Sequence, residues 1–228
     1  QPADAQPPTA LREGEPAVHE HANRDKLGPR DVAQSIANLE RPERVAELKI
    51  DVVLEKLALP RDAVIGDLGC GPGLFSLAFA HACPAGVVYA SDIEPAQLDR
   101  VRAKAEADGL PNVVPVLAGP HDPHFPRDRF DLVFIADTYH HLEDRIAYLR
   151  RLKTVLRPGG RLVLLEYKPG DLPVGPPANH KLPSGVMDRE MELAGYVLID
   201  RFATHAWHDF EVWRPRLAWE PRAPSARE

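Results

Sequence analysis

The chain has 228 residues, enough for one full hydrophobic core and for one domain or at most two small ones. Hydrophobic residues make up 44% and charged residues 27%, which excludes a wholly disordered or collagen-like chain. The formal net charge of -6 speaks against a basic nucleic-acid surface and against a polybasic membrane patch.

Residues 1–29 are rich in Pro, Ala and charge, have no apolar period, and read as a mobile tail. Gln1 rather than Met opens the chain. The stretch Gln1–Pro8 suits a processed secreted chain as well as a piece cropped from a longer one. A cytoplasmic location is expected, with a removed export signal as the alternative. Residues 30–58 read as helical, because Val45, Leu48, Val52 and Val53 recur at steps of three and four before Pro60. From Val64 the pattern changes to short β-rich runs alternating with helical stretches. Strands are expected at 64–68, 87–92, 113–118, 131–136 and 161–166, with helices at 74–82, 95–107 and 143–156 between them.

This alternation predicts a parallel sheet covered on both faces, since each parallel crossover needs a helix. A helix at 184–194 then precedes two strands, 196–203 and 209–214, with no helix between them. That pair predicts an antiparallel, hairpin-like edge. Residues 30–214 are expected to form one domain, and the Pro-rich 215–228 a second tail. The longest apolar runs, such as Leu132–Ala136, fall far short of the ~20 residues of a membrane-spanning helix. No internal repeat is present, and the oligomeric state is not legible.

Strand 64–68 runs into Asp67-Leu68-Gly69-Cys70-Gly71-Pro72-Gly73, and a helix follows. Glycines there let the backbone turn sharply and approach a ligand, and the helix start offers free N–H groups. The spacing is G-x-G-x-G, with Leu74 where a dinucleotide fingerprint wants Gly or Ala. The second strand ends in Asp92, an acid placed to accept from both hydroxyls of a ribose.

With Ser91-Asp92-Ile93-Glu94-Pro95, Phe130-Asp131-Leu132-Val133 and Leu156-Arg157-Pro158-Gly159-Gly160-Arg161-Leu162 following in order, the chain resembles the class I S-adenosylmethionine-dependent methyltransferases over roughly residues 43–214. The resemblance implies a doubly wound α/β fold. Its Rossmann-like, seven-stranded, mostly parallel sheet has an antiparallel last strand and helices on both faces. It implies that S-adenosylmethionine is the methyl donor, S-adenosylhomocysteine the product, and a small molecule the acceptor, with no nucleic-acid or membrane partner. It further implies that Gly69, Cys70, Gly71 and Gly73 line the methionine and ribose part of the donor. Asp67 holds the loop and faces the amino group, Asp92 takes the ribose hydroxyls, and Ile93 packs on the adenine. The loop after strand three, Ala118–Pro126, offers Asp122 as the acid near the adenine amine.

Strand four runs out into Asp137-Thr138-Tyr139-His140-His141-Leu142-Glu143-Asp144. Ligands of open parallel sheets bind at the carboxyl ends of strands, so this turn borders the transferring methyl. Imidazole titrates near working pH and suits removal of a proton from the acceptor. Asp137, Tyr139, His140, His141 and, from a later loop, His180 are therefore the candidate catalytic residues; Asp137 also belongs to the donor's surroundings. The alternatives are histidines that only pack beside the donor, and a metal held by Asp137, His140 and His141, although their spacing matches no closed zinc pattern. Glu143 and Asp144 are expected to cap the following helix. The loop 168–183 carries five prolines and the heads Lys168, His180 and Lys181, and is expected to roof the acceptor site.

The two cysteines, Cys70 and Cys83, flank a helix too long at ~1.5 Å per residue for the ~7 Å reach of a disulfide, so both are expected as free thiols. A binder of the donor that has lost catalysis remains the alternative from another functional class.

Overall fold

A computed structural model describes residues 31–220; the expected tail 1–29 and most of 215–228 lie outside the described residues. The helical stretch before the sheet is three short helices: α1 (Val32–Leu39), α2 (Pro42–Glu47) and α3 (Ile50–Leu57). The breaks have local causes. Arg41 precedes Pro42 and is extended, at φ -57 and ψ 134, because the proline ring crowds the helical conformation of the residue before it. Lys49 turns left-handed at φ 43 between α2 and α3, and Ala58 ends α3 at φ 44.

Seven strands follow: β1 (Val64–Leu68), β2 (Val87–Asp92), β3 (Val113–Leu117), β4 (Phe130–Ala136), β5 (Leu156–Tyr167), β6 (Tyr196–Phe202) and β7 (His208–Pro215). Helices α4 (Leu74–Ala82), α5 (Pro95–Ala107), α6 (Arg145–Lys153) and α7 (Val186–Ala194) connect them. The strand order is β3-β2-β1-β4-β5-β7-β6. β1 through β5 pair in parallel, while β7 runs antiparallel to both β5 and β6. This is the doubly wound, Rossmann-like sheet expected from the sequence.

The last two strands do form an antiparallel pair, but β7 rather than β6 docks on β5. Their burial explains the choice: β7 places Phe210, Val212 and Trp213 in the core, whereas β6 is largely accessible from Leu198 onward. β5 also begins earlier than expected. Leu156 already pairs with Phe130, and the ladder resumes at Arg161 opposite Leu132. The excursion between them is the Pro158-Gly159-Gly160 turn. Gly159 has φ 83, and a Cβ on Gly160 would lie 2.6 Å from the Phe130 carbonyl.

Strands β4 and β5 are buried on both faces, which explains their unbroken apolar runs. Leu132 and Phe134 join Val163, Phe75 and Phe79 of one layer, where the Phe75 and Phe134 ring centroids are 4.5 Å apart. Val133 and Ile135 join Leu162, Tyr148, Met191 and Trp213 of the other. The sheet is thereby held rigid, and its carboxyl ends carry the loops described next.

Candidate active site

The first loop leaves β1 at Asp67. Gly69 (φ 70), Gly71 (φ 52) and Gly73 (φ 85) are all left-handed, a region that glycine enters freely. Gly69 is also a close approach: an added Cβ would meet Thr138 Oγ1 and Cγ2 at 2.3 Å. Thr138 donates to the Gly69 carbonyl at 3.3 Å and to that of Ala136 at 2.9 Å, tying the loop to the end of β4.

Asp92 holds the same loop from the β2 side. One carboxylate oxygen accepts from the Gly71 N–H and the other from the Glu94 N–H, each at 2.9 Å. Burial pushes its pKa up despite these bonds. Asp67, 2% exposed, accepts from Ser76 Oγ at 2.5 Å. Burial, with a smaller contribution from the Asp92 charge, pushes its pKa up to about 7.

Around this loop lies a cavity of 430 Å³. Asp67, Gly69, Cys70, Gly71, Asp92, Ile93, Asp137 and His141, all singled out from the sequence, line it; Gly73 instead serves as the left-handed cap of α4. Asp122 does not reach the cavity. Its side chain accepts from the His124 N–H and pairs with Arg151 at 2.7 Å, so Ala118, Gly119 and Pro120 form the third-strand wall instead.

Ser35, Leu39, Arg44 and Leu48 of the N-terminal helices complete the lining. This cover was missed from the sequence, where the helical period carries no site signal. It is tied down by ion pairs: Glu40 to Arg100 at 2.9 Å and to Lys104 at 2.5 Å, and Arg44 Nη2 to Asp137 Oδ2 at 2.8 Å.

A second cavity of 610 Å³ adjoins the first. The two share Leu39, Arg44, Asp137 and His141. His140 and His180 line the second, with Tyr167, Pro173, Val174 and Pro176 as apolar walls. The loop 168–183 therefore does border it, but its lysines brace the loop. Lys168 Nζ donates to the His205 and Ala206 carbonyls and Lys181 Nζ to that of Gly170, all at 3.0 Å.

The histidine turn is a single 3₁₀ turn, Tyr139–His141, after the left-handed Asp137 (φ 48). Tyr139 parts from the two histidines. Tyr139 is fully buried and donates to Glu190 Oε2 at 2.6 Å, so it belongs to the core rather than to either cavity. His140 Nδ1 lies 2.8 Å from Glu166 Oε1. Burial pulls the His140 pKa down, but the charge and hydrogen bond of Glu166 outweigh it and the net direction is up. The His141 ring lies against that of His140, with centroids 4.0 Å apart and the planes tilted by 44°.

Asp144 caps α6 by accepting from the Ala147 N–H. Because Asp137 turns to Arg44 and His140 to Glu166, the metal set suggested by the sequence is not assembled. Among the described residues no three His, Cys, Asp or Glu side chains are grouped to hold an ion. Cys70 and Cys83 are free and buried, as expected.

Sheet order, glycine loop and strand-end acid together are features of the class I S-adenosylmethionine-dependent methyltransferase fold. Residues 65–160 match the family model for a methyltransferase domain. A demethylmenaquinone methyltransferase of Thermus thermophilus is 37% identical over 123 residues, 53% of this chain and 52% of that protein. The ubiquinone/menaquinone biosynthesis C-methyltransferase UbiE of Shewanella frigidimarina is 35% identical over 103 residues, 44% of this chain and 41% of that protein. The chain thus spans about half the length, or less, of these curated relatives. Among solved structures, a SAM-dependent methyltransferase from Aquifex aeolicus shares the fold at a TM-score of 0.75 and 23% identity, covering 80% of this chain and 97% of that one. No helix among the described residues is long and apolar enough to cross a membrane.

Proposed function

We propose that the domain binds S-adenosylmethionine in the 430 Å³ cavity and transfers its methyl group to a small-molecule acceptor in the 610 Å³ cavity beside it. The observation that carries this reading is the shared wall of Leu39, Arg44, Asp137 and His141, which sets the two cavities side by side. Both volumes fall in the ~300–1,000 Å³ range of small-molecule sites.

The residues present fit the donor. Each Asp92 oxygen is oriented by a backbone N–H and keeps a lone pair for a ribose hydroxyl. Ile93, 39% exposed, offers an apolar face for the adenine. The left-handed glycines let backbone approach the methionine end, and Asp67 lies behind them to face its amino group. When bound, the donor supplies an electrophilic methyl on a positive sulfonium. The chain's own part is to orient the acceptor, exclude water and accept its proton. The histidine turn serves as the base, and His180 contributes to acceptor binding. The relatives named for demethylmenaquinone methylation and for C-methylation in ubiquinone/menaquinone biosynthesis, together with the apolar walls, support a ring-bearing, quinone-like acceptor.

Calorimetry tests the donor: S-adenosylmethionine and S-adenosylhomocysteine bind and NAD does not. Asp92→Ala weakens the donor by about 1.5–3 kcal/mol, the scale of hydrogen bonds to a charged group. Tight NAD binding with no response to S-adenosylmethionine refutes the reading.

A further inference from the structure

We infer that Glu166 makes His140, rather than His141, the base of this site, and that the acceptor carries a weakly acidic hydroxyl: a phenol, a hydroquinone or an enol. The inference rests on the methyl-transfer reading above and adds to it a positioning residue and an acceptor class.

Glu166 closes the apolar run Leu162-Val163-Leu164-Leu165 of β5 and is 3% exposed. A carboxylate so placed is costly unless its oxygens are bonded. Oε1 accepts from the Tyr167 N–H at 3.1 Å and lies 2.8 Å from His140 Nδ1, and Oε2 accepts from the His140 N–H at 3.3 Å. Backbone and ring of His140 are thus held by one side chain across 26 residues of sequence.

An ionised carboxylate only accepts, so Nδ1 carries the proton of the neutral ring. The lone pair is left on Nε2 of a ring that lines the acceptor cavity. The charged groups acting on that ring are Glu166 from β5, Asp137 before the turn and Arg145 from α6, with the His141 ring tilted against it. Glu166 and Asp137 stabilise the imidazolium that forms when Nε2 takes a proton, and Arg145 opposes them.

Such a base is best matched to weakly acidic hydroxyls, which lie a few pH units above it and can ionise before the methyl is transferred. The walls of Leu39, Pro173, Val174 and Pro176 suit the flat apolar body of such an acceptor. The balance is simple. The hydroxyl proton passes to Nε2. The electron pair freed on oxygen, or delocalised onto the neighbouring carbon, forms the new bond to the methyl carbon. The old carbon–sulfur bond breaks with its pair going to sulfur. Where carbon is methylated, that carbon's own proton leaves to solvent.

The test uses Glu166→Gln, which keeps an acceptor for Nδ1 and removes the charge. Probes are 1,4-dihydroxynaphthalene as hydroxyl acceptor and benzylamine as amine acceptor. With the hydroxyl probe, Glu166→Gln is expected to lower kcat by ~10- to 100-fold and to move the acid limb of the pH profile to lower pH. Donor Kd and probe KM stay within a few-fold, and Glu166→Asp recovers part of the rate. Independently of turnover, ¹⁵N NMR of the donor-free protein shows His140 as the Nδ1–H tautomer titrating above the ordinary ~6.5, and Glu166→Gln lowers that midpoint.

A neutral His140 protonated on Nε2, or a midpoint unmoved in Glu166→Gln, overturns the dyad whatever the probes do. So does a variant that melts earlier yet keeps its rate and pH limb per folded molecule. Methylation of benzylamine alone overturns the acceptor class and leaves the methyltransferase reading standing. Absence of both donor binding and transfer sinks that reading itself.

Discussion

Asp67→Asn is the most demanding test of the site's electrostatics. Asp67 is 2% exposed, and its acid is pushed up from 3.8 to about 7, chiefly by burial. The displacement is about three pH units, and at ~1.4 kcal/mol per pH unit it amounts to about 4 kcal/mol. The folded state holds the proton more tightly than the unfolded chain. The stability this contributes is fully present below the unfolded pKa near 3.8 and is lost as pH rises through about 7. Asparagine keeps an oxygen for the Ser76 hydroxyl and cannot ionise.

Chemical denaturation from pH 4.5 to 8 should therefore show near-equal stabilities at the acid end. At pH 8 the variant should be ahead by about 2–4 kcal/mol, the lower figure allowing for relaxation around a buried charge. The same variant should bind the cationic donor more weakly at pH 8, because an ionised Asp67 favours a neighbouring positive charge. Parallel stability curves across the range, with no widening gap, would show that Asp67 titrates as an ordinary carboxyl and that the burial argument fails.

Two further substitutions probe the frame of the site. Gly69→Ala puts a Cβ 2.3 Å from Thr138 at φ 70 and should cost about 2–5 kcal/mol in denaturation, whereas Gly159→Ala, at φ 83 with nothing within 4 Å, should cost only about 1–2 kcal/mol. Equal costs would remove the argument that Gly69 is a close approach. Arg44→Ala leaves Asp137 beside the buried His208 without its partner and should destabilise by about 1–3 kcal/mol. Amide exchange in Pro42–Glu47 should accelerate while that of β4 does not; unchanged exchange in α2 would show that the ion pair does not hold the cover down.

Much of the candidate donor site was legible in the sequence, because the features that build the cavity are local. A glycine-rich turn declares its left-handed backbone by composition, and a strand-end acid is read directly from the end of an apolar run. Asp67, Gly69, Gly71, Asp92 and Ile93 accordingly stand around one cavity. Asp122 was less legible because its loop could be aligned in more than one way, and the structure gives its carboxylate to Arg151. Glu166 did leave a signal: an acid closing the run Leu162–Leu165 sits where a parallel sheet presents its ligands.

The order of strands and helices was determined by the sequence alone, since hydrophobic period and turn chemistry act over a few residues. Only the tertiary structure decided which distant groups meet. Arg44 reaches Asp137 across 93 residues to latch the cover, and Glu166 turns His140 away from the set it shares in sequence with Asp137 and His141. β7 takes the place beside β5 because its side chains bury more apolar surface there than those of β6. The physical reason is the same in each case. Pairing of buried charges and competition for core contacts are set by distances through space, and no local pattern along the chain encodes them.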